Sequence, residues 1–333
     1  MSGIVEIAKK AGVSPATVSR ALRGMHHVNE RTRKKIIDAA QALDYPIRPD
    51  LLPRSEGSRT NTIGVVAPYL SRWFFSQAIA GVEQALREAG MDLLLYNFAQ
   101  IDARQRVFQQ KKLSGKVDGL IVISMPPTER EFETMLGLGI PVALLGVTDS
   151  RCSSVAIDDV TGASTAVEHL IANGHKDIAI LKGQDDSTFN FQVSSMRFKG
   201  YLDTLASHNI EFKRDFELTC DFDSHTAELA MDEFLGRKKL PTAIFCQSDE
   251  MAYGVIKSLN KRGMQAGKDI SVIGFDDHEY AEIAGLTTVQ QSVQFQGQIA
   301  ASEIMAQLEK PDSKNTHIKV PTQLVIRNTV AKI

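Results

Sequence analysis

From residue 62 onward, short apolar runs of strand length alternate with longer segments whose apolar residues recur at helical spacing. Strands that are joined through helices lie parallel to one another, and a parallel sheet is covered by helices on both faces. The alternation therefore predicts an α/β core built on doubly wound parallel sheets.

The predicted strands are too numerous for one comfortable sheet. They span residues 62–67, 92–97, 119–124, 141–146, 177–182, 242–247 and 270–275. An interruption at 147–165 divides them into two groups. We therefore expect two similar lobes within residues 62–333, with chain crossings near residues 160 and 290. Ligand chemistry is expected at the strand ends that face the cleft.

Residues 1–46 predict a separate all-α unit of three short helices. Gly12 ends the first apolar face, over residues 4–11. Ser14 followed by Pro15 is typical of a helix start, and it opens a second helix over residues 15–22. Asn29 is a second N-cap signal. The helix that follows it is expected to bury a stripe made of Ile36, Ile37, Ala40 and Leu43.

The charge of the chain is unevenly distributed. Residues 1–60 carry eleven Lys or Arg and six Asp or Glu, a net +5, so the other 273 residues carry −7 of the overall −2. A basic head on an acidic body is typical of a polyanion-binding module joined to a regulatory domain. A solvated basic face explains the charge equally well. Residues 47–61, which are rich in Pro, Ser and Arg, are interpreted as a hinge between the two.

Residues 11–22 have the helix, tight turn, helix pattern of a major-groove reader. The second helix is expected to present Pro15, Ala16 and Arg20 outward. A guanidinium such as that of Arg20 can donate two hydrogen bonds to guanine. Side chains that suit phosphate oxygens instead, and so set register, are Thr17, Ser19 and Asn29.

Several kinds of protein are excluded by what the sequence lacks. Three widely spaced cysteines, without CxxC or paired-His spacing, argue against a disulfide framework or a zinc site. Neither an export leader nor a spanning helix is evident, which indicates a cytoplasmic protein away from the membrane. No nucleotide-phosphate loop, nucleophile elbow or HExxH motif occurs. We therefore expect no cofactor, no metal and no catalysis.

The segments AGVSPATVSRAL (11–22), NTIGVV (61–66), VEHLIANGHKDIAIL (167–181), SDEMAYGV (248–255) and ISVIGFDD (270–277) carry a family resemblance. Residues 3–46 resemble the helix-turn-helix DNA-binding head of the LacI/GalR family of bacterial transcription regulators. The lobes through residue 328 resemble its periplasmic-binding-protein-like sensor domain. The resemblance implies that Pro15, Ala16 and Arg20 face the bases.

The hinge departs from the family pattern. In the family, a leucine near this point wedges into the minor groove of the operator, but here Glu56 occupies the aligned position and Pro53 precedes it. A carboxylate is a poor wedge, because the DNA phosphates repel it and because removing its charge from water costs free energy. Leu51 or Leu52 is the substitute, and we assign the operator contact to Leu52.

The sensor lobes offer polar groups beside aromatic rings. Arg197 opens a helix over 194–207, Asp249 follows the strand at 242–247, and Asp276 follows the strand at 270–275. A forked cation with carboxylates suits neighbouring sugar hydroxyls. Rings that can stack on a sugar face are those of Trp73, Phe74 and Phe222. The resemblance implies effector contacts at Arg197, Asp249 and Asp276, and Gln291 is a further candidate. A neutral carbohydrate is the expected effector, and a purine base is the alternative.

The expected function is that of a homodimeric transcription regulator, a repressor, that binds double-stranded operator DNA under the control of a small effector. A solute-binding protein is the first alternative, but it would have no use for the basic head. An αβ enzyme acting on a sugar or nucleoside is the second, and turnover of a cleft ligand would reveal it.

Overall fold

The computed structural model describes residues 2–23, 28–47, 59–97, 104, 113, 115–184 and 191–333. The chain divides into two compact units, Met1–Thr60 and Asn61–Ile333. The predicted hinge residues Leu51, Leu52, Pro53 and Glu56 lie outside the described residues.

The described part of the first unit contains three helices, α1 (Ser2–Ala11), α2 (Pro15–Leu22) and α3 (Glu30–Gln41). Both predicted N-caps are present: the Ser14 side chain accepts from the Thr17 amide at 3.2 Å, and the Asn29 side chain accepts from the Thr32 amide at 2.8 Å. The small core includes Ile7, Val18, Ile36 and Ala40.

The prediction is wrong for one residue of the apolar stripe. Leu43 lies two residues beyond the end of α3 and is 39% exposed, because the helix stops at Gln41 and the chain turns through Asp44 with a positive φ of 47°. Tyr45 packs against the head core from this turn instead.

The second unit has two lobes, each built on a six-stranded sheet. The sheet of the first lobe has the strand order β11-β5-β4-β3-β1-β2, all parallel. Its strands are β1 (Thr62–Ala67), β2 (Asp92–Asn97), β3 (Gly119–Ile123), β4 (Val142–Leu145), β5 (Ser153–Ala156) and β11 (His317–Lys319). Among the described residues, its helices are α4 (Trp73–Glu88), α5 (Glu129–Leu136) and α10 (Val293–Glu309), and α4 and α10 pack against each other.

The sheet of the second lobe has the order β12-β10-β9-β8-β6-β7, with only β12 antiparallel to its neighbour. Its strands are β6 (Ile178–Gly183), β7 (Glu217–Cys220), β8 (Ala243–Cys246), β9 (Ser271–Asp276), β10 (Thr287–Gln291) and β12 (Thr322–Val325). Its helices are α6 (Asp159–Ala172), α7 (Val193–Ser207), α8 (Ser224–Phe234) and α9 (Asp249–Lys261). The predicted two-lobed α/β architecture is confirmed.

The topology fixes where a ligand site should lie. The chain passes between lobes after β5, after β10 and between β11 and β12, one crossing more than the two expected. In each sheet the strand order reverses direction beside the first strand, between β1 and β3 and between β6 and β8. Ligands of doubly wound sheets bind outside the carboxyl ends of the strands at this point.

Some strands were not predicted from the sequence because they are short and polar. Ser153 and Ser154 in β5 are fully buried. Ser153 Oγ accepts from Gln307 Nε2 at 2.7 Å, and Ser154 Oγ lies 2.8 Å from His317 Nδ1. Since both partners lie more than 150 residues away, no local pattern could indicate this strand.

Candidate functional site

The second helix of the head presents a small polar surface. Pro15, Ala16 and Arg20 are exposed on α2, whereas Val18 is fully buried on the opposite side. Ala16 and Arg20 are four residues apart and therefore lie on one helical face. The structure thus brings the three predicted base-facing residues together on an accessible face.

The predicted phosphate contacts lie around this face. Thr17 and Ser19 are half-buried, and Thr17 Oγ1 lies 2.8 Å from Ser14 Oγ. Asn29 is exposed, with its side-chain oxygen already used in capping α3. Leu52 lies outside the described residues, so its predicted minor-groove contact has no structural description.

Between the two lobes lies a partly open cavity. Its walls combine aromatic rings with ionisable groups from both lobes. Five of the seven predicted effector residues line it: Phe74, Arg197, Phe222, Asp276 and Gln291.

Arg197 is the centre of a buried ionic network. Its Nε donates to Asp159 Oδ1 at 2.8 Å, and its Nη1 lies 3.7 Å from Asp276 Oδ1. Nη1 also donates to the carbonyl of Gln247, and the guanidinium carbon lies 3.6 Å from the centre of the Phe275 ring. The arginine is therefore held rigidly by the protein before any ligand arrives.

Asp276 combines burial with an unusual backbone. Its φ of 124° lies in a region that side-chain-bearing residues rarely adopt, which is typical of strained functional positions. Gln291 Nε2 donates to its Oδ1 at 2.6 Å. Burial raises the Asp276 pKa to about 6, against the opposing effect of Arg197. The carboxylate is thus fixed in place but easily protonated.

Asp249 is placed differently from the prediction. It does not line the cavity: it is fully buried, its Oδ1 accepts from Thr288 Oγ1 at 2.6 Å, and its Oδ2 accepts from the His278 amide at 2.8 Å. Gly274 permits this approach, because a Cβ there would lie 2.0 Å from Asp249 Oδ1. Asp249 therefore fastens the loop that follows Asp276.

Trp73 also lies outside the cavity lining. Its indole Nε1 donates to Glu279 Oε2 at 2.8 Å, and its ring lies 5.1 Å from that of His278. Trp73 begins α4 in the first lobe, whereas Glu279 and His278 follow β9 in the second. The structure thus gives Trp73 a contact between lobes instead of a wall of the cavity.

Sequence reasoning missed several lining residues, and the topology explains most of them. Arg72, Phe75, Asp159, Phe191, Glu250 and Gln296 line the cavity in addition to the predicted set. Arg72 and Phe75 flank the predicted pair Trp73 and Phe74, and Glu250 follows the predicted Asp249. The position of Asp159 opposite Arg197 depends on α6 packing against α7, which no local signal revealed.

Comparison with known proteins places these features in a family. Residues 3–47 match the family described as "Bacterial regulatory proteins, lacI family", and residues 60–328 match "Periplasmic binding proteins and sugar binding domain of LacI family". The chain is 33% identical, over all of both chains, to the HTH-type transcriptional repressor PurR of Vibrio campbellii (strain ATCC BAA-1116).

Solved structures give the same result. The lac repressor dimer bound to operator and the anti-inducer ONPF is 26% identical and covers 98% of each chain, with a TM-score of 0.74. The complex of the transcriptional regulator CelR with cellobiose is 26% identical and covers 98% of this chain and 99% of its own, with a TM-score of 0.73.

A helix-turn-helix head joined to a two-lobed core with a cavity between its lobes defines a DNA-binding transcriptional regulator. The chain belongs to the LacI family of bacterial regulatory proteins. None of the helices in the described part of the chain has the length and apolar character needed to span a bilayer.

Proposed function

We propose that this regulator is a repressor that binds a near-palindromic operator as a homodimer, and that a neutral carbohydrate in the cleft cavity sets its operator affinity. The observation that carries the proposal is the cavity itself, in which a rigid arginine and two carboxylates face aromatic walls. The ligand is bound and released unchanged, so turnover of any cavity ligand by the purified protein would contradict the proposal.

The charges of the cavity favour a neutral ligand. The ionisable residues that line it are Arg72, Arg197, Asp159, Glu250 and Asp276. Their formal sum is −1 when all are ionised, and a phosphate dianion would prefer a cationic site. Carboxylates and a guanidinium together accept from and donate to hydroxyl groups, which is what a sugar needs.

The aromatic walls favour a ring with an apolar face. Phe74, Phe75, Phe191 and Phe222 line the cavity from several elements. Such rings contact the apolar face of a sugar, and they stack equally well on a nucleobase. The carboxylates and guanidinium groups that line the cavity can hydrogen-bond to hydroxyl groups, and they therefore support a sugar rather than a nucleobase. The similar CelR structure, which holds cellobiose, also supports a sugar.

The homodimer is supported by the geometry of one head. A single α2 presents one reading face, which covers one half-site, so two-fold protein symmetry should be matched by a near-palindromic operator. The similar lac repressor is a dimer on its operator. Light scattering should show a dimer, and a monomer with full operator affinity would contradict the proposal.

Isothermal calorimetry with three ligand classes tests the effector. We expect a neutral sugar to bind, and we expect Asp276→Asn to weaken it strongly. Glu233→Gln should leave binding unchanged, because Glu233 is an exposed residue of α8 outside the cavity. Binding of nucleobases alone, or of phosphorylated sugars alone, would refute the neutral-sugar proposal.

A further inference from the structure

The Glu250 carboxylate has no partner among the residues that the structure describes. Glu250 is the second residue of α9, is half-buried and lines the cavity from the second lobe. Within the described residues, no hydrogen bond or ion pair reaches its carboxylate. In the neighbouring network, by contrast, Arg197, Asp159 and Asp276 each already have at least one protein partner. An unpaired carboxylate facing a ligand cavity is a recognition group that the protein has left available.

Arg72 lines the same cavity from the first lobe. It is the residue before α4, and its guanidinium carbon lies 4.2 Å from the centre of the Tyr69 ring, which holds the side chain in place. Burial raises the pKa of Glu250 and the positive charge of Arg72 opposes that rise; both side chains line the one cavity, from opposite lobes. They do not form an ion pair within 4.0 Å in the described structure.

We propose that Arg72 and Glu250 form a cross-lobe pair that reads one hydroxyl group of the effector, with Arg72 donating to the hydroxyl oxygen and Glu250 accepting its hydrogen. The inference rests on the proposed function, that the cavity holds a neutral sugar. A hydroxyl is a neutral group that donates and accepts at one atom, so it satisfies both sides together. The bridged ligand also joins the two lobes.

The same pair discriminates against charged versions of one sugar. A carboxylate in place of the hydroxyl would accept from Arg72 but would be repelled by Glu250, and Asp276 in the same cavity would add to the repulsion. An ammonium group would pair with Glu250 but would be repelled by Arg72. Discrimination of this kind depends on unfavourable contacts as much as on favourable ones.

The ionisation of Glu250 gives the pair a measurable signature. Burial and the negative charge of Asp276 raise the Glu250 pKa to about 7, while Arg72 opposes the rise and Asp223 adds to it. The ionised carboxylate is the stronger acceptor, so sugar affinity should fall from pH 8 to pH 6 as Glu250 becomes protonated, by at most about tenfold. Asp276, with a pKa of about 6, contributes about a twofold fall of its own over this range.

The test is calorimetry on the full chain with matched probes. Cellobiose, D-glucose, D-galactose and D-ribose represent neutral sugars. D-Glucuronate, D-galacturonate, D-glucosamine and D-galactosamine are the charged analogues. The variants are Glu250→Gln and Arg72→Gln, with Glu233→Gln as the matched control on an exposed surface. Each titration is run at pH 6 and at pH 8.

We expect a neutral probe to bind at least tenfold tighter than its charged analogues. In Glu250→Gln, neutral-sugar affinity should fall about tenfold at pH 8, and the preference for the neutral sugar over its uronate should shrink. Of the pH dependence of binding, only the twofold effect of Asp276 should remain. Arg72→Gln should weaken the neutral sugar and shrink the preference over the amine, while Glu233→Gln should behave as the parent protein.

Three results overturn the inference. One is tighter binding of a charged analogue by the parent protein. Another is neutral-sugar binding that depends on Asp276 but is unchanged by both Glu250→Gln and Arg72→Gln. That result would contradict the Arg72–Glu250 pair without contradicting the proposed function. The third is the absence of binding by every neutral probe, which removes the neutral-sugar function and this inference together.

Discussion

Replacing Arg197 with methionine removes the cation from the buried network while keeping most of the aliphatic volume. The Arg197 side chain is 5% exposed, and those of Asp159 and Asp276 are 9% and 8% exposed. Removing one partner of a buried ion pair costs about 3–5 kcal/mol, because the remaining charge is left uncompensated. We therefore expect Arg197→Met to lower the free energy of unfolding by about this amount at pH 8.

The loss should be smaller at pH 6. Burial already raises the pKa values of Asp159 and Asp276, and removing Arg197 removes the group that opposes that rise. Groups whose folded pKa is raised above the unfolded value destabilise the fold as pH increases. The variant should therefore regain stability relative to the parent as the pH falls and the two carboxylates become protonated.

Urea unfolding at both pH values, followed by fluorescence, measures this. Trp73 is the only tryptophan of the chain and lies in the α/β core, so its emission reports the unit that contains the network. Arg130→Met, at an exposed position of α5, is the matched control. A loss below about 1 kcal/mol at pH 8, or a loss that is equal at the two pH values, would refute the reasoning.

Three further predictions concern other parts of the chain. Arg20→Ala should weaken binding to the specific operator by about 1–3 kcal/mol per half-site and relax the preference at one base position, while the dependence of affinity on salt stays unchanged. Fluorescence anisotropy measures both, and equal weakening on all DNA sequences would mean that Arg20 contacts phosphate. Gly274→Ala should lower the melting temperature, since the new Cβ would meet Asp249 Oδ1 at 2.0 Å, and an unchanged calorimetric transition would contradict this close approach. His175 is buried and its pKa is lowered by burial, so core stability should decrease as pH falls below about 6.5, and a His175→Gln variant should show a weaker decrease in acid.

The architecture could be predicted from the sequence where local signals agreed. Ser14 and Asn29 cap helices as expected, because capping depends on residues within one turn. The long apolar strands of both sheets were also predictable. The strand at 153–156 was not, since its buried serines are satisfied by Gln307 and His317 from distant segments.

The candidate site could be predicted only in part, for a similar reason. Arg197 and Asp276 follow recognisable elements, and the structure brings them together. Whether a neighbouring residue lines the cavity depends on the direction of its side chain, which the sequence does not show. Asp249 turns into the protein toward Gly274, whereas the adjacent Glu250 faces the cavity.

The most direct test of the regulatory account is operator binding by the full chain in the presence of a neutral sugar that occupies the cavity. The account predicts that the sugar changes the operator Kd at least about tenfold, and that saturating operator changes the sugar Kd by the same factor, because the coupling between two sites is reciprocal. Asp276→Asn should abolish both changes. A sugar that binds the cavity and leaves the operator Kd unchanged would contradict the account.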